Sequence, residues 1–264
     1  MILLIALQIV GIASRGESIA VVTQEGVTLD GKTVVTSIPQ ITGVAYSRDG
    51  VLAIFGGTPG KAGAIELVGK WKAADHKDLV YSATFGPDWL ATASHDRTIL
   101  VRSLEGKLLH TLVGHAGSVV AVAASPDGKT LVSGGADGTI RVWDPSTGGL
   151  IKTIANHGDR VNALAWSPDG KYVVSGSRDR SARVWQPELG RLVRILKHDA
   201  EILDVAWGDA GIVTAGCDGA VRLLESDSDK LIKSWSAGSR ATAVAVGAKG
   251  VLVAVEGEVK TLAR

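Results

Sequence analysis

What the chain has least of is cysteine. Cys217 stands alone, so no disulfide can form within the chain and the stapled framework of a small secreted domain is excluded. A reducing, cytoplasmic setting fits. Methionine occurs once, asparagine twice and glutamine four times in 264 residues, a shortage of heat-labile side chains of the kind reported for proteins from hot environments. An excess of either charge is missing too: 28 Lys and Arg against 27 Asp and Glu leave a formal charge of +1. Without an overall basic field, recognition of nucleic-acid phosphate becomes the lesser reading.

Long apolar runs are absent as well. The start, MILLIALQIVGIAS, holds about 13 largely apolar residues, whereas a membrane crossing needs roughly 20, so no membrane role is expected. The run ends in small residues as a secretory signal does, which would make the protein secreted or periplasmic, but no Lys or Arg precedes it. A buried strand is the expected state of such a short stretch. Helix signals are equally scarce. No window carries a 3.6-residue apolar stripe with capping residues at its ends, which argues against parallel sheets with crossover helices. The six His, at 76, 95, 110, 115, 157 and 198, include no close pair and have no Cys partner, so neither metal nor cofactor is expected. GGTPGKAG at 56–63 lacks the Gly-Lys-Ser/Thr ending of a phosphate loop and reads as a turn.

What the chain does have is a repeat. VSGGADGTIRVWD, 132–144, returns 42 residues later as VSGSRDRSARVWQ, 174–186, and Ser133/Ser175, Asp137/Asp179, Trp143/Trp185 and His115/His157 all keep that offset. Weaker copies surround Asp96 and Asp218. Within a unit, SVVAVAA, KTLVSGG, TIRVWD and LIKTIA alternate with the turn sequences SPDG, ADG and PSTGG. That is four short strands joined by three tight turns, β-branched residues in the runs and Asp-Gly where the chain reverses. With 45% apolar residues, such units can bury a core.

The pair Gly114-His115, the turn Asp137 and Val142-Trp143-Asp144 resemble the WD-repeat family of β-propellers, a resemblance strong over about 80 residues of the fourth and fifth units. The third and sixth keep His76 and His198, Thr92 and Thr214, and the turn Asp, but hold Arg102 and Leu224 where Trp would stand. The resemblance implies an all-β fold: a seven-bladed β-propeller of four-stranded antiparallel blades. One domain over 1–264 is expected, with repeats near 8–40, 41–77, 78–116, 117–158, 159–200, 201–238 and 239–264. The seventh unit ends after three strands, so the apolar 1–7 is expected to supply its fourth and close the ring.

Ser, His and Asp in one unit could be the parts of a hydrolase, but a nucleophile needs one exposed site, and this trio is tiled along the chain. The resemblance implies a structural role: Asp bonds His, His bonds the Ser hydroxyl, and that hydroxyl receives the Trp indole N–H. The network residues are then His115, Ser133, Asp137 and Trp143 in one blade, and His157, Ser175, Asp179 and Trp185 in the next. No catalytic residue is assigned.

Function is expected on the loops that such a scaffold holds rigid. The turns bearing the Asp and the links between units form one face, which commonly receives proteins or peptides in the family resembled. Here that face should include His95, Arg97, Arg160, Arg178, Arg180 and Arg240. Arg160, Arg178 and Arg180 suit carboxylate or phosphate recognition, unless Asp159, Asp199 and Glu201 simply pair with them. The leading expectation is a non-enzymatic scaffold, a monomer or a subunit of a complex, binding a protein or peptide with an acidic segment. A nucleic-acid or ribonucleoprotein subunit using the same arginines is the alternative, and an enzyme would need non-repeating carboxylates or His at the channel mouth.

Overall fold

The computed structural model describes residues 9–15, 18–23, 26–155, 157–238, 240–247, 250–255 and 258–262, and among them every regular element is a strand. The strands form seven antiparallel sheets, each built from consecutive segments. Ile9–Arg15, Ser18–Thr23, Gly26–Leu29 and Lys32–Val34 make the first blade, and Gln40–Tyr46, Leu52–Thr58, Ala62–Leu67 and Trp71–His76 the second. Val80–Phe85, Trp89–Ser94, Thr98–Ser103 and Leu108–Val113 make the third, and Val119–Ala124, Leu131–Gly135, Thr139–Asp144 and Gly149–Ala155 the fourth. The fifth is Val161–Trp166, Val173–Ser177, Ser181–Gln186 and Arg191–Lys197, and the sixth Ile202–Gly208, Gly211–Gly216, Ala220–Leu224 and Leu231–Ser236. Ala241–Gly247, Gly250–Val255 and Glu258–Leu262 form the seventh, three-stranded among the described residues.

The first strand of each blade packs against the first strands of its two neighbours, and 241–247 packs against 9–15, so the seven sheets close into a ring. The fold is a seven-bladed β-propeller. The expected fourth strand of the last blade, residues 1–7, lies outside the described residues.

Why the units stack is visible in the second strands. Leu131–Gly135, Val173–Ser177 and Gly211–Gly216 are buried along their whole length, because a neighbouring blade covers each of their faces. Gly134 and Gly176 permit that approach: a Cβ on either would meet Val161 or Ile202 of the following blade at 2.6 Å. The core therefore lies between blades. Val132, Ile140, Val142 and Ile154 of the fourth pack on Val161, Val173 and Trp185 of the fifth, each large side chain contributing about 1.5–3 kcal/mol by leaving water.

The inner strands of the second to seventh blades each have one irregularity that matters for the site. The pairing skips a residue at Thr42, Tyr81, Val120, Asn162, Leu203 and Thr242, a bulge that re-aims the side chain. All six line the central channel.

Candidate functional site

The recurrent trio comes first. In the fourth blade His115 Nε2 lies 2.8 Å from Ser133 Oγ, and Trp143 Nε1 donates to the same oxygen at 2.8 Å. The indole can only donate, and the Asp137 carboxylate on the other side of the ring can only accept, so the neutral His115 takes the Ser133 hydroxyl proton at Nε2. That leaves the imidazole proton on Nδ1, which faces the Asp137 carboxylate at 3.0 Å. Thr139 Oγ1 and the Ala116 N–H donate to the same carboxylate at 2.8 Å each. The fifth blade repeats the arrangement: His157 to Ser175 at 2.7 Å, Trp185 to Ser175 at 2.8 Å, His157 to Asp179 at 2.8 Å. There Ser181 Oγ and Arg183 Nη2 also donate to Asp179, at 2.6 and 3.1 Å.

Electrostatics agree with this proton assignment. Burial pushes both imidazoles below their usual value, against the pull of the neighbouring carboxylate, so they are neutral at pH 7. Burial alone would raise the Asp179 carboxyl, but Ser181, His157 and the Gly158 N–H hold it well below the usual carboxylate range. Ser133 and Ser175 are 0% exposed, so neither hydroxyl can meet a substrate. What the arrangement does is give the Trp, Ser, His and Asp groups partners inside a packed seam.

The outer copies depart from it in different ways. In the third blade His76 still bonds Thr92 at 2.8 Å and Asp96 at 3.0 Å. Arg102, buried at the Trp position, instead ion-pairs with Asp75 and donates to Gly106 O at 3.1 Å. The sixth blade has lost the circuit. Arg222 Nη1 sits 2.7 Å from His198 Nδ1, and since a guanidinium only donates, Nδ1 must accept and the ring proton moves to Nε2. His198 Nε2 and Thr214 Oγ1 are both buried without a partner. Burial, reinforced by Arg222, pushes His198 down to about 4.

The face with the Asp turns and the inter-blade links surrounds the channel mouth, where a cavity of about 370 Å³ is lined by Arg160, Asn162, Glu201, Leu203, Arg240 and Thr242. Asn162 Nδ2 donates to Ile202 O at 2.7 Å and to Glu201 Oε1 at 3.1 Å, which fixes one wall. The Arg160 guanidinium lies over the Tyr81 ring, 5.8 Å from its centre, and its Nε is buried without an acceptor. Neither Arg160 nor Arg240 has a carboxylate in ion-pair range among the described residues. Arg178 and Arg180 stand apart on the exposed turn of the fifth blade, Arg178 at 3.9 Å from Asp159. Of the other acids set against these arginines, Asp199 pairs with Arg222 at 3.6 Å and Glu201 with Asn162.

Arg97 and Arg180 occupy the same turn position in their blades and hold φ of 71° and 65°, where the fourth and sixth blades have Gly138 and Gly219. His95, exposed, accepts at Nδ1 from Tyr81 at 3.0 Å or Ser118 at 2.9 Å, with Asp78 3.9 Å from Nε2. This second Ser-His-Asp grouping is open to water, and Tyr81 and Ser118 share one nitrogen of the ring. Sequence reading missed Tyr81, Asn162, Ser118 and Asp204. Tyr81 and Asn162 share the bulge position that holds Thr42, Val120, Leu203 and Thr242 in other blades, and Asp204 stands where the third blade has Ser82, so nothing in the repeat marks them out. Among the described residues no group of three or more His, Cys, Asp or Glu is placed to hold a metal, and no helix is long and apolar enough to cross a membrane.

The family model described as WD domain, G-beta repeat matches residues 106–144 and 148–186, the two units whose networks are complete. An uncharacterized WD repeat-containing protein of Synechocystis is 44% identical over 72 residues, 27% of this chain and 20% of that protein. Nuclear distribution protein nudF of Aspergillus flavus is 46% identical over 63 residues, 24% of this chain and 14% of that one. Small ribosomal subunit protein RACK1y of Oryza sativa subsp. japonica is 42% identical over 78 residues, 28% of this chain and 23% of its own. The chain thus spans less than a quarter of each of these relatives. Residues 106–186 thus carry two WD repeats, set in a ring of seven like-built sheets.

Proposed function

We propose that the protein is a non-enzymatic scaffold that binds a protein or peptide partner through an acidic segment, on the face that carries the channel mouth. The observation that carries this reading is the pair Arg97 and Arg180. A non-glycine residue in the left-handed region costs about 1–2 kcal/mol, and sister blades avoid that cost with Gly138 and Gly219. Both arginines are exposed, and neither makes an ion pair among the described residues. Arg160 and Arg240, unpaired around the mouth cavity, add to the same side of the balance, and guanidinium groups are the side chains best suited to hold carboxylates bidentately. The WD-repeat relative named for the small ribosomal subunit supports a role within a larger assembly.

The test is capture from cell extract with wild-type protein beside a variant carrying Arg97→Glu, Arg160→Glu, Arg180→Glu and Arg240→Glu. The wild type is expected to retain partners that the variant loses. Identical sets from both would contradict the reading. Binding that fades steeply with salt across unrelated nucleic acids would favour phosphate recognition instead.

A further inference from the structure

The outer strands of the third to sixth blades share a bulge that leaves an aliphatic side chain bare. The pairing skips Leu109, Ile151, Val193 and Ile232 in turn, and these residues are 42, 54, 39 and 48% exposed. From the third, fourth and fifth blades the residue after the bulge reaches the next blade: His110 Nε2 donates to Ser146 O at 3.0 Å, Lys152 Nζ to Glu188 O at 3.2 Å, and Arg194 to Ser226 O and Ser228 O. The seam between the third and fourth blades opens into a groove. A cavity of about 980 Å³ lies there beside Leu109 and Ile151. Its walls include the turns at 87–88, 127–129 and 144–146, at the strand ends opposite the Asp turns and the links, so it faces away from the channel mouth.

The floor of the groove is held in place. Buried Trp89 donates from Nε1 to Gly128 O at 3.3 Å, and Gly128, at φ 72°, lets its turn close on Pro87. The His110 ring lies on Gly148, where a Cβ would meet it at 3.0 Å. A groove already formed in this way loses little to ordering when something binds.

Charge in the groove is one-sided. Asp88, Asp127 and Asp144 line it against Lys129. Asp127 Oδ1 accepts from Ser125 Oγ at 2.6 Å and from the Lys129 N–H at 3.0 Å, and Asp144 Oδ1 accepts from Ser146 Oγ at 2.6 Å, which fixes both carboxylates. Exposed Asp88 has neither a hydrogen bond nor an ion pair among the described residues. The turn at 144 does not depend on its acid: Gln186 stands there in the fifth blade, and that turn closes through the Gly190 N–H to Pro187 O at 3.1 Å. His110 adds to the imbalance, since its register position holds Lys152, Arg194 and Lys233 in the next three blades.

We propose that this groove docks a segment of another protein in which a large apolar side chain lies between Lys or Arg residues. The apolar group packs on Leu109 and Ile151, and the cations face the three carboxylates. The site is separate from the mouth and does not rest on the reading given for it. Nucleic-acid phosphate is repelled here. A second copy of the chain is the rival occupant, because the outer strand of the fifth blade exposes Arg191, Val193, Ile195 and Lys197. Such a contact is head-to-tail and would assemble the protein into rings or filaments.

The test is selection from a display library of random short peptides on the whole chain, followed by fluorescence titration of those enriched. Peptides carrying Leu, Ile, Met, Phe or Trp between Lys or Arg are expected. Asp88→Lys should weaken their binding by about tenfold and Ile151→Ser by about tenfold or more, with Leu109→Ser in its place if Ile151→Ser fails to fold. Val193→Ser, at the same bulge one blade on, should bind them as the wild type does. So should the fourfold Arg→Glu variant of the mouth face, which lets failure of the groove and failure of the mouth be read apart. No enrichment of this class of peptide, or equal binding of it by Asp88→Lys and Ile151→Ser, would overturn the groove. Rings or filaments of the purified protein in analytical ultracentrifugation, dispersed by Asp88→Lys, would overturn it too, because the occupant would then be a second copy.

Discussion

The fourth and fifth blades and the sixth share a backbone pattern, yet their polar interiors end in opposite states. In the former, Trp, Ser, His and Asp form a circuit in which every member has a partner. In the sixth, Leu224 removes the indole donor and Ala220 removes the hydroxyl that Thr139 and Ser181 give the turn Asp. Arg222 then takes His198 Nδ1, and His198 Nε2 and Thr214 Oγ1 are stranded. The difference teaches that such a network works as a unit: losing two donors at its ends leaves two orphans in its middle.

Mutations can break that contrast or sharpen it. The largest expected effect is Trp185→Ala, about 3–5 kcal/mol by urea denaturation, because it removes a fully buried ring and the indole donor to Ser175 together. Next come Asp179→Asn and Ser133→Ala, about 1–3 kcal/mol each, with partner capture retained at permissive temperature. Asp218→Asn, whose exposed carboxylate accepts only the Ala220 N–H among the described residues, should stay within about 0.5 kcal/mol. The Asp179 effect has a pH signature. Its folded carboxyl is held below the free value of 3.8, so the stability it contributes is present above about pH 4 and lost as pH falls further. Wild type and Asp179→Asn should converge in acid, and a gap that widens there would contradict the network.

Smaller changes test the orphan groups. Thr214→Val removes a buried hydroxyl without a partner and should raise stability by up to about 1 kcal/mol, whereas Ser175→Ala lowers it by at least as much. The smallest effect is Arg180→Gly, a gain of about 0.5 kcal/mol from relief of the left-handed turn, measured by thermal unfolding and accompanied by loss of partner capture. Equal signs for Thr214→Val and Ser175→Ala would erase the distinction between blades.

Much of this was legible in the sequence because the network residues recur in it. The 42-residue offset, the turn sequences and the Trp to Arg102 and Trp to Leu224 replacements all sit in the letters, and they point to a seven-bladed ring. The contact of 9–15 with 241–247 joins chain segments far apart in sequence, which no periodicity encodes. The proposed closing role of residues 1–7 falls outside the described residues. At the site, Arg160 and Arg240 were singled out separately, but their meeting at one cavity depends on how two links converge on the channel. Asp204 was invisible for a different reason. A single acid in a strand ordinarily faces water, and only the bulge at Leu203 turns this one into the seam with the next blade.

Hydrogen exchange resolved by strand tests most directly whether the recurrent trio is internal bonding and not chemistry. Slower exchange is expected in 131–135, 139–144, 173–177 and 181–186 than in 211–216 and 220–224, with Asp137→Asn and Asp179→Asn lowering the former to the level of the latter. Equal protection in all three blades of the wild type, unchanged by those substitutions, would contradict it.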